Sequence, residues 1–258
     1  MNSGDITIER LGGGEYSAVP SKSWDVWGPN GGYLCALMMK AVGEEAQGTV
    51  PVSFMGQYLR SPKFDTVQIN VDCIKRGRIT SAYDVCMVQD EKTMVRATVW
   101  VGVPRNTTMD YQLRHQPDDF IPLQDAVGKP PVGPMPMWDN LDIRKVTNSG
   151  GHYSHWYRFL PDIDLNNPFA DAARSLILID TMQWPARYFM EDNPPDYVAP
   201  SLDLYVQFHQ FNSSSEWLFS EASTNVARHG LVAGSAMVWD DEGLLLASGG
   251  SQSALIAM

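Results

Sequence analysis

Residues 28–42 read GPNGGYLCALMMKAV. Gly28-Pro29-Asn30-Gly31-Gly32 is turn chemistry, with Asn30 placed to cap a following helix. From Tyr33 to Val42 the residues are almost wholly apolar, with no stripe of polar positions. A helix that is apolar all round is enclosed on every side. Four runs rich in Val, Ile, Thr and Tyr follow: PVSFMGQYLR, TVQINVDCIK, RITSAYDVCMVQ and MVRATVWVGV. They alternate in part and are separated by turn signals such as Lys75-Arg76-Gly77, so they read as antiparallel strands. A sheet wrapped around a single helix accounts for the unstriped helix and for the strands together.

The same order recurs downstream. Residues 104–137 carry Pro104, Pro117, Pro122, Pro130, Pro131, Pro134 and Pro136 with few apolar runs, which reads as a linker, the other reading being a long functional loop. Beyond it, HYSHWYRFL is strand-like and SLILIDTMQWPARYFM is a second apolar helix, with Pro185 a kink or an end. Then come SLDLYVQFHQF, EWLFSEAST, LVAGSAMVWD and LLLASGGSQSALI. Pro51 and Pro200 each open a strand, an offset of 149, and Asp90 matches Asp240 at an offset of 150. This is a tandem duplication. The expected class is α+β, two fused units that are each an antiparallel sheet wrapped around one buried helix. The expected division is 1–104, a Pro-rich linker at 105–137, and 138–258.

Composition narrows the function. The 258 residues are 44% hydrophobic and 19% charged, which is ordinary for a globular chain. A formal net charge of −11 argues against nucleic acid and anionic membrane as partners, since both need clustered Lys and Arg. A local basic pocket for a small anion is still compatible with it. The first residues, MNSGDITIERLGGGEY, lack the basic start and apolar run of a secretory signal. No apolar stretch reaches the roughly 20 residues of a membrane helix, so the expected location is cytoplasmic. Cys35, Cys73 and Cys86 read as reduced core residues, because they lie in apolar segments and no His lies near them in sequence to suggest a catalytic thiol. His152 and His155 in HYSH fall on opposite faces of a strand, so no metal site is expected. There is no Gly-x-Ser-x-Gly elbow and no Gly-rich phosphate loop.

One residue breaks the second helix. Residues 176–185 read LILIDTMQWP, and Asp180 is a carboxylate in an otherwise apolar run. Burying an ionised carboxylate without partners is costly. Either Asp180 is paired structurally, with Arg174 or Arg187, or it is placed for chemistry.

Several motifs together resemble the double hotdog acyl-CoA thioesterases of the type II, TesB-like group. They are WGPNGGY and RGRITSAYDVCMVQD in the first half, and LDIRKV, SHWYRF, LILID, SLDLYVQFH, EWLFSEAST and DDEGLLLASGGSQSALI in the second. The resemblance implies a catalytic group of an Asp on the second helix, a Thr or Ser opening the next strand and a Gln on the last strand. These fall on Asp180, Ser201 and Gln252. Ser201 stands where the family often has Thr, and Ser-Ala follows Gln252 where the family often has Glu-Gly. The implied reaction is hydrolysis of an acyl-CoA to free acid and CoA, with no cofactor. A homodimer or larger homo-oligomer is implied by the same analogy.

In that reaction a buried Asp180, its pKa raised by desolvation, takes a proton from water. Ser201 and Gln252 fix the same water, and direct attack by Asp180 is the alternative. The oxyanion would meet backbone N–H groups at the first helix start, where Gly31 and Gly32 permit close approach. Arg76, Arg78 and Arg228 flank strand turns and are candidates for the CoA phosphates. The duplication offsets match Ser201 to Val52, Gln252 to Gly102 and Asp180 to the neighbourhood of Gly32 or Tyr33. None of the three polar groups recurs, so one centre per chain is expected. Two other readings of the fold are a non-catalytic acyl-ligand binding protein and an enoyl-thioester hydratase or dehydratase. The last needs an Asp-and-His pair, and no His lies near Asp180 in sequence.

Overall fold

The computed structural model describes residues 6–106, 109–114, 117, 120–126, 128, 133–160, 167–188 and 197–257. The first half runs β1 (Glu9–Gly12), β2 (Glu15–Ala18), α1 (Gly31–Glu45), β3 (Val50–Tyr58), β4 (Val67–Lys75), β5 (Thr80–Gln89) and β6 (Lys92–Gly102). The second runs β7 (Leu141–Ser149), β8 (His152–Phe159), α2 (Pro168–Tyr188), β9 (Tyr197–Val198), β10 (Asp203–Phe208), β11 (Trp217–Arg228), β12 (Leu231–Trp239), β13 (Leu245–Ala254) and β14 (Ile256–Ala257). Among the described residues, twelve strands form one antiparallel sheet in the order β1-β2-β4-β5-β6-β3-β10-β13-β12-β11-β8-β7. Read from its middle outward, each half repeats the other strand for strand. The seam is the β3–β10 ladder, with Met55 opposite Tyr205. A short β9–β14 pair stands apart.

Each helix is buried by the sheet and by its partner helix. From Gly32 to Val42 every α1 residue except Lys40 is buried. The two helices touch closely at two places. A Cβ on Gly32 would lie 2.7 Å from Ile177 Cα, and one on Gly43 would lie 2.8 Å from Phe169 Cγ. Gly31 and Pro168 open the two helices, an offset of 137. That offset carries Gly32 onto Phe169 and Gly43 onto Asp180, so the Gly43–Phe169 contact is the image of the Gly32–Asp180 contact, where a Cβ on Gly32 would lie 3.1 Å from Asp180 Cβ. The counterpart of Asp180 is therefore Gly43, not Gly32 or Tyr33. The strands carry a different offset because the helix-to-strand connections differ in length. Gly56↔Ala97 corresponds to Val206↔Gly249, which moves the counterpart of Gln252 from Gly102 to Trp100.

Other expectations change as well. The β1–β2 hairpin is not among the expected strands. It pairs along β4, and a Cβ on Gly14 (φ +82°) would lie 2.4 Å from the Val71 carbonyl oxygen. The Pro-rich stretch is not a free tether where it is described. Phe120, Leu123 and Ala126 cover Trp156, Phe219 and Trp239 on the outer face of the second half, and the Trp156 indole donates to the Ile121 carbonyl at 2.8 Å. Pro130 and Pro131 lie outside the described residues. Pro185 does not end α2, which runs on to Tyr188. The cysteines are free, but only Cys35 is fully in the core. Cys86 takes an outward position of β5 and Cys73 sits at the end of β4, so both are half-buried.

Arg174 has its own carboxylate. It is buried on the first half of α2 and pairs with Asp171 one turn earlier, while its Nη1 donates to the Ser215 carbonyl at 2.7 Å. Asp171 also accepts from the Asn212 N–H at 3.0 Å. Arg174 therefore does not neutralise Asp180. Replacing one member of a buried pair leaves the other charge uncompensated. Arg174→Met is expected to cost about 3–5 kcal/mol, read as a lower denaturation midpoint. An unchanged midpoint would mean that Asp171 and the Ser215 carbonyl find water instead.

Candidate active site

The N-terminus of α1, the last residue of β3, the middle of α2 and the residues before β10 converge at one end of the helix pair. Asn30 caps α1, its Oδ1 accepting the Tyr33 N–H at 2.9 Å. Its Nδ2 reaches across the halves to Thr181 Oγ1 at 3.0 Å. One turn of α1 thereby fixes the position of α2 beside it.

Asp180 is buried here and holds three hydrogen bonds. Its Oδ2 accepts from the Gly32 N–H at 2.7 Å. Its Oδ1 accepts from Ser201 Oγ at 3.0 Å and from the Tyr58 hydroxyl at 3.1 Å. Burial drives its pKa above the ordinary carboxylate range, and the bonds from Ser201, Gly32 and Tyr58 pull against that rise. A carboxylate offers about four lone-pair positions. Three are filled by protein donors, which leaves room for one further donor such as a water.

The carboxylate opens into a cavity of about 320 Å³. Its walls are mostly apolar, including Val26, Trp27, Leu34, Met135, Met137, Trp138 and Leu202. Asn30, Gly31, Tyr58, Thr181 and Ser201 supply the polar side around Asp180, and Arg60 is the one cation among the lining residues. An apolar cleft with a few converging polar groups and a perturbed carboxylate has the form of a ligand site. Among the described residues there is no cluster of three metal-ligating side chains, and no helix is long and apolar enough to cross a membrane.

The expected residues divide. Asp180, Ser201, Gly31 and Gly32 come together. Gly31 has no room for a side chain, since a Cβ there would lie 2.9 Å from both Asp180 Oδ2 and Tyr58 Cζ. The close approach that these glycines permit is thus to Asp180 and to the backbone of α2. Gln252 is not among the partners of Asp180 and does not line the cavity. Its backbone bonds the 202–203 segment instead, its carbonyl accepting the Leu202 N–H at 2.7 Å and its N–H donating to Asp203 Oδ1 at 2.8 Å. The reason is period two: buried Ser251 alternates with Gln252, so the amide takes the other side of the sheet.

Arg76 and Arg78 follow the end of β4 that ladders to the Val50 end of β3, the end away from Tyr58. Arg228 is on the site's end, beside the Leu231↔Ala254 pair next to the Ser201↔Ser253 bridge. Arg187 lies outside the described side chains. Sequence reasoning missed Tyr58, Thr181 and the wall formed by Met135 and Met137. The period of β3 offers a weak signal for Tyr58, but nothing local marks a contact between residues 122 positions apart.

Two helices, each wrapped by half of one continuous sheet, define a double hotdog fold. Here it carries a buried carboxylate between the helices, open to an apolar cavity. Models of the acyl-CoA thioesterase N-terminal domain and C-terminal domain match residues 20–102 and 117–256. The chain belongs to the acyl-CoA thioesterase family. No curated protein matches it significantly. Among solved structures it is similar to a hotdog-fold protein of unknown function from Alicyclobacillus acidocaldarius, at TM-score 0.84 and 18% identity, covering 99% of this chain and 98% of that one. It is similar to a tesB protein of Mycobacterium avium subsp. paratuberculosis at 0.80 and 19%, covering 98% and 96%. It is also similar to the acyl-CoA thioesterase II TesB2 of Mycobacterium marinum at 0.78 and 16%, covering 99% and 96%.

Proposed function

We propose that this chain hydrolyses an acyl-CoA thioester to free acid and CoA, with water attacking under Asp180. The observation that carries the reading is the state of Asp180: a buried carboxylate with three protein donors, one open acceptor position and an apolar cavity in front of it. Water held at the open position gives its proton to the carboxylate as it attacks the thioester carbonyl. Ser201 holds Oδ1 and keeps the carboxylate from rotating away. The base works best once ionised, so activity falls as pH drops through the raised pKa of Asp180.

The oxyanion needs a donor that is not already engaged. At the start of α1 the Gly32 N–H bonds Asp180, the Tyr33 N–H bonds the Asn30 cap, and the Leu34 N–H bonds the Asn30 carbonyl. First-turn amides have no partner within their helix. Gly31, the first residue of α1 and part of the cavity wall, supplies that donor with the helix dipole behind it. We assign the CoA phosphates to Arg60 at the cavity and to Arg228 on the same end of the sheet, in place of Arg76 and Arg78. One centre per chain follows, because Gly43 stands where Asp180 would recur and Pro51, by the offset of 150 that carries Gly56 onto Val206, stands where Ser201 would recur.

The test is thiol release from short, medium, long and aromatic acyl-CoAs. Turnover of at least one is expected. If none releases thiol while an acyl-CoA still raises the melting temperature, the chain is an acyl-CoA binding protein and hydrolysis is rejected. A hydratase or dehydratase has no support here, since among the described residues the hydrogen-bond partners of Asp180 are Gly32, Tyr58 and Ser201, with no His.

A further inference from the structure

Gln252 is absent from the site, yet Asp180 still has a full set of side-chain donors. The second one comes from the other half of the protein. Tyr58 is the last residue of β3, and its backbone N–H donates to the Leu202 carbonyl at 2.9 Å, directly after Ser201 in the chain. The ladder to Val95 holds its other side. Its hydroxyl lies 3.1 Å from Asp180 Oδ1 and 3.3 Å from Cys35 Sγ. The proton directions follow from what each group can do. An ionised carboxylate only accepts, so the single Tyr58 proton points to Asp180. The Cys35 thiol then donates to the Tyr58 oxygen. The result is a one-way chain, Cys35 to Tyr58 to Asp180, in which each bond polarises the next.

Resting on the reading of Asp180 as the base, we propose that Tyr58 is a positioning residue for the hydrolysis: its hydroxyl, delivered by the first half, fixes the Asp180 carboxylate from the side opposite Gly32 in place of a glutamine amide. The titratable groups facing Asp180 are Tyr58 from β3 and, behind it, Cys35 from α1. Arg60 lines the same cavity, while Ser201 and the Gly32 N–H touch the carboxylate without titrating near neutral pH. Burial keeps the Tyr58 hydroxyl and the Cys35 thiol protonated through neutral pH, so both remain donors. The Tyr58 bond favours the charged form of Asp180. Removing it lets the Asp180 pKa climb further.

The experiment compares wild type, Tyr58→Phe and Cys35→Ala on an acyl-CoA that wild type hydrolyses, following kcat and KM across pH. Tyr58→Phe keeps the ring and removes only the hydroxyl. Its kcat is expected to fall about 10–100-fold with little change in KM, and its acid limb to move to higher pH by about one unit, the scale of one hydrogen bond to a charged group. Cys35→Ala should move the limb the same way by less, and it provides the readout if Tyr58→Phe does not fold. An acid limb that stays in place in the folded variants overturns the role of Tyr58 and leaves Asp180 untouched. Full activity in Asp180→Asn overturns the base itself, and the role of Tyr58 with it.

Discussion

Asp180→Asn is expected to lower kcat for thioester hydrolysis by about 10²–10⁴-fold while the protein stays folded and still binds acyl-CoA. The loss has two sources. An amide does not take a proton from water at neutral pH. It also carries only one acceptor atom, whereas Asp180 meets donors on both oxygens, Gly32 on one and Ser201 and Tyr58 on the other. One donor must therefore face an NH₂ group. Folding loses those bonds but no longer buries a charge, so the two contributions to stability oppose each other. Thiol release, melting temperature and acyl-CoA affinity measured on one sample separate them. Retained turnover would mean that the base is elsewhere.

Gly32→Ala is expected to give a large loss of both stability and activity. The added methyl would lie 2.7 Å from Ile177 Cα and 2.9 Å from the Leu176 carbonyl oxygen. Both are backbone atoms of α2, so no side chain can swing aside and the helices must separate. Overpacking of this kind costs typically 1–3 kcal/mol and more where backbone must move. At about 3 kcal/mol, a chain of this size loses roughly 6–12 °C in melting temperature. Activity should fall too, because the Gly32 N–H is withdrawn from Asp180. Gly43→Ala is the comparison: its methyl meets Phe169 Cγ at 2.8 Å and Cβ at 3.0 Å, atoms of one side chain rather than the backbone of the facing helix, so a shift of that side chain relieves the contact. It also replaces Gly by the best helix former, so its effect should be much smaller. Equal losses in the two variants would show that helix separation is not the cause.

The repeat was legible because each half must enclose an apolar helix, and enclosure shows in GPNGGYLCALMMKAV as the lack of any polar stripe. Asp180 was legible for the complementary reason, as the one carboxylate in such a run. Residues set by long-range register were not. Gln252 and Ser251 are neighbours in sequence, and a motif shared with a family does not say which of them faces the helix; a shift of one residue exchanges the faces. Tyr58 reads as an ordinary strand residue until the seam brings it beside Ser201. The duplication offset failed for the helices because α2, at 21 residues, is longer than α1, at 15, and is followed by a longer connection to its strand, so helix and strand counterparts need different spacings.

The seam has a consequence for what turnover measures. Gly32 and Tyr58 belong to one half of the chain, Asp180 and Ser201 to the other, and the Asn30–Thr181 bond crosses between them. Neither half alone contains the proposed catalytic set. Hydrolysis is thus a gauge of assembly. In a denaturant titration it reports the joining of the two half-sheets at the β3–β10 ladder rather than the integrity of either half, and a partly unfolded chain that keeps most of its strands is already silent.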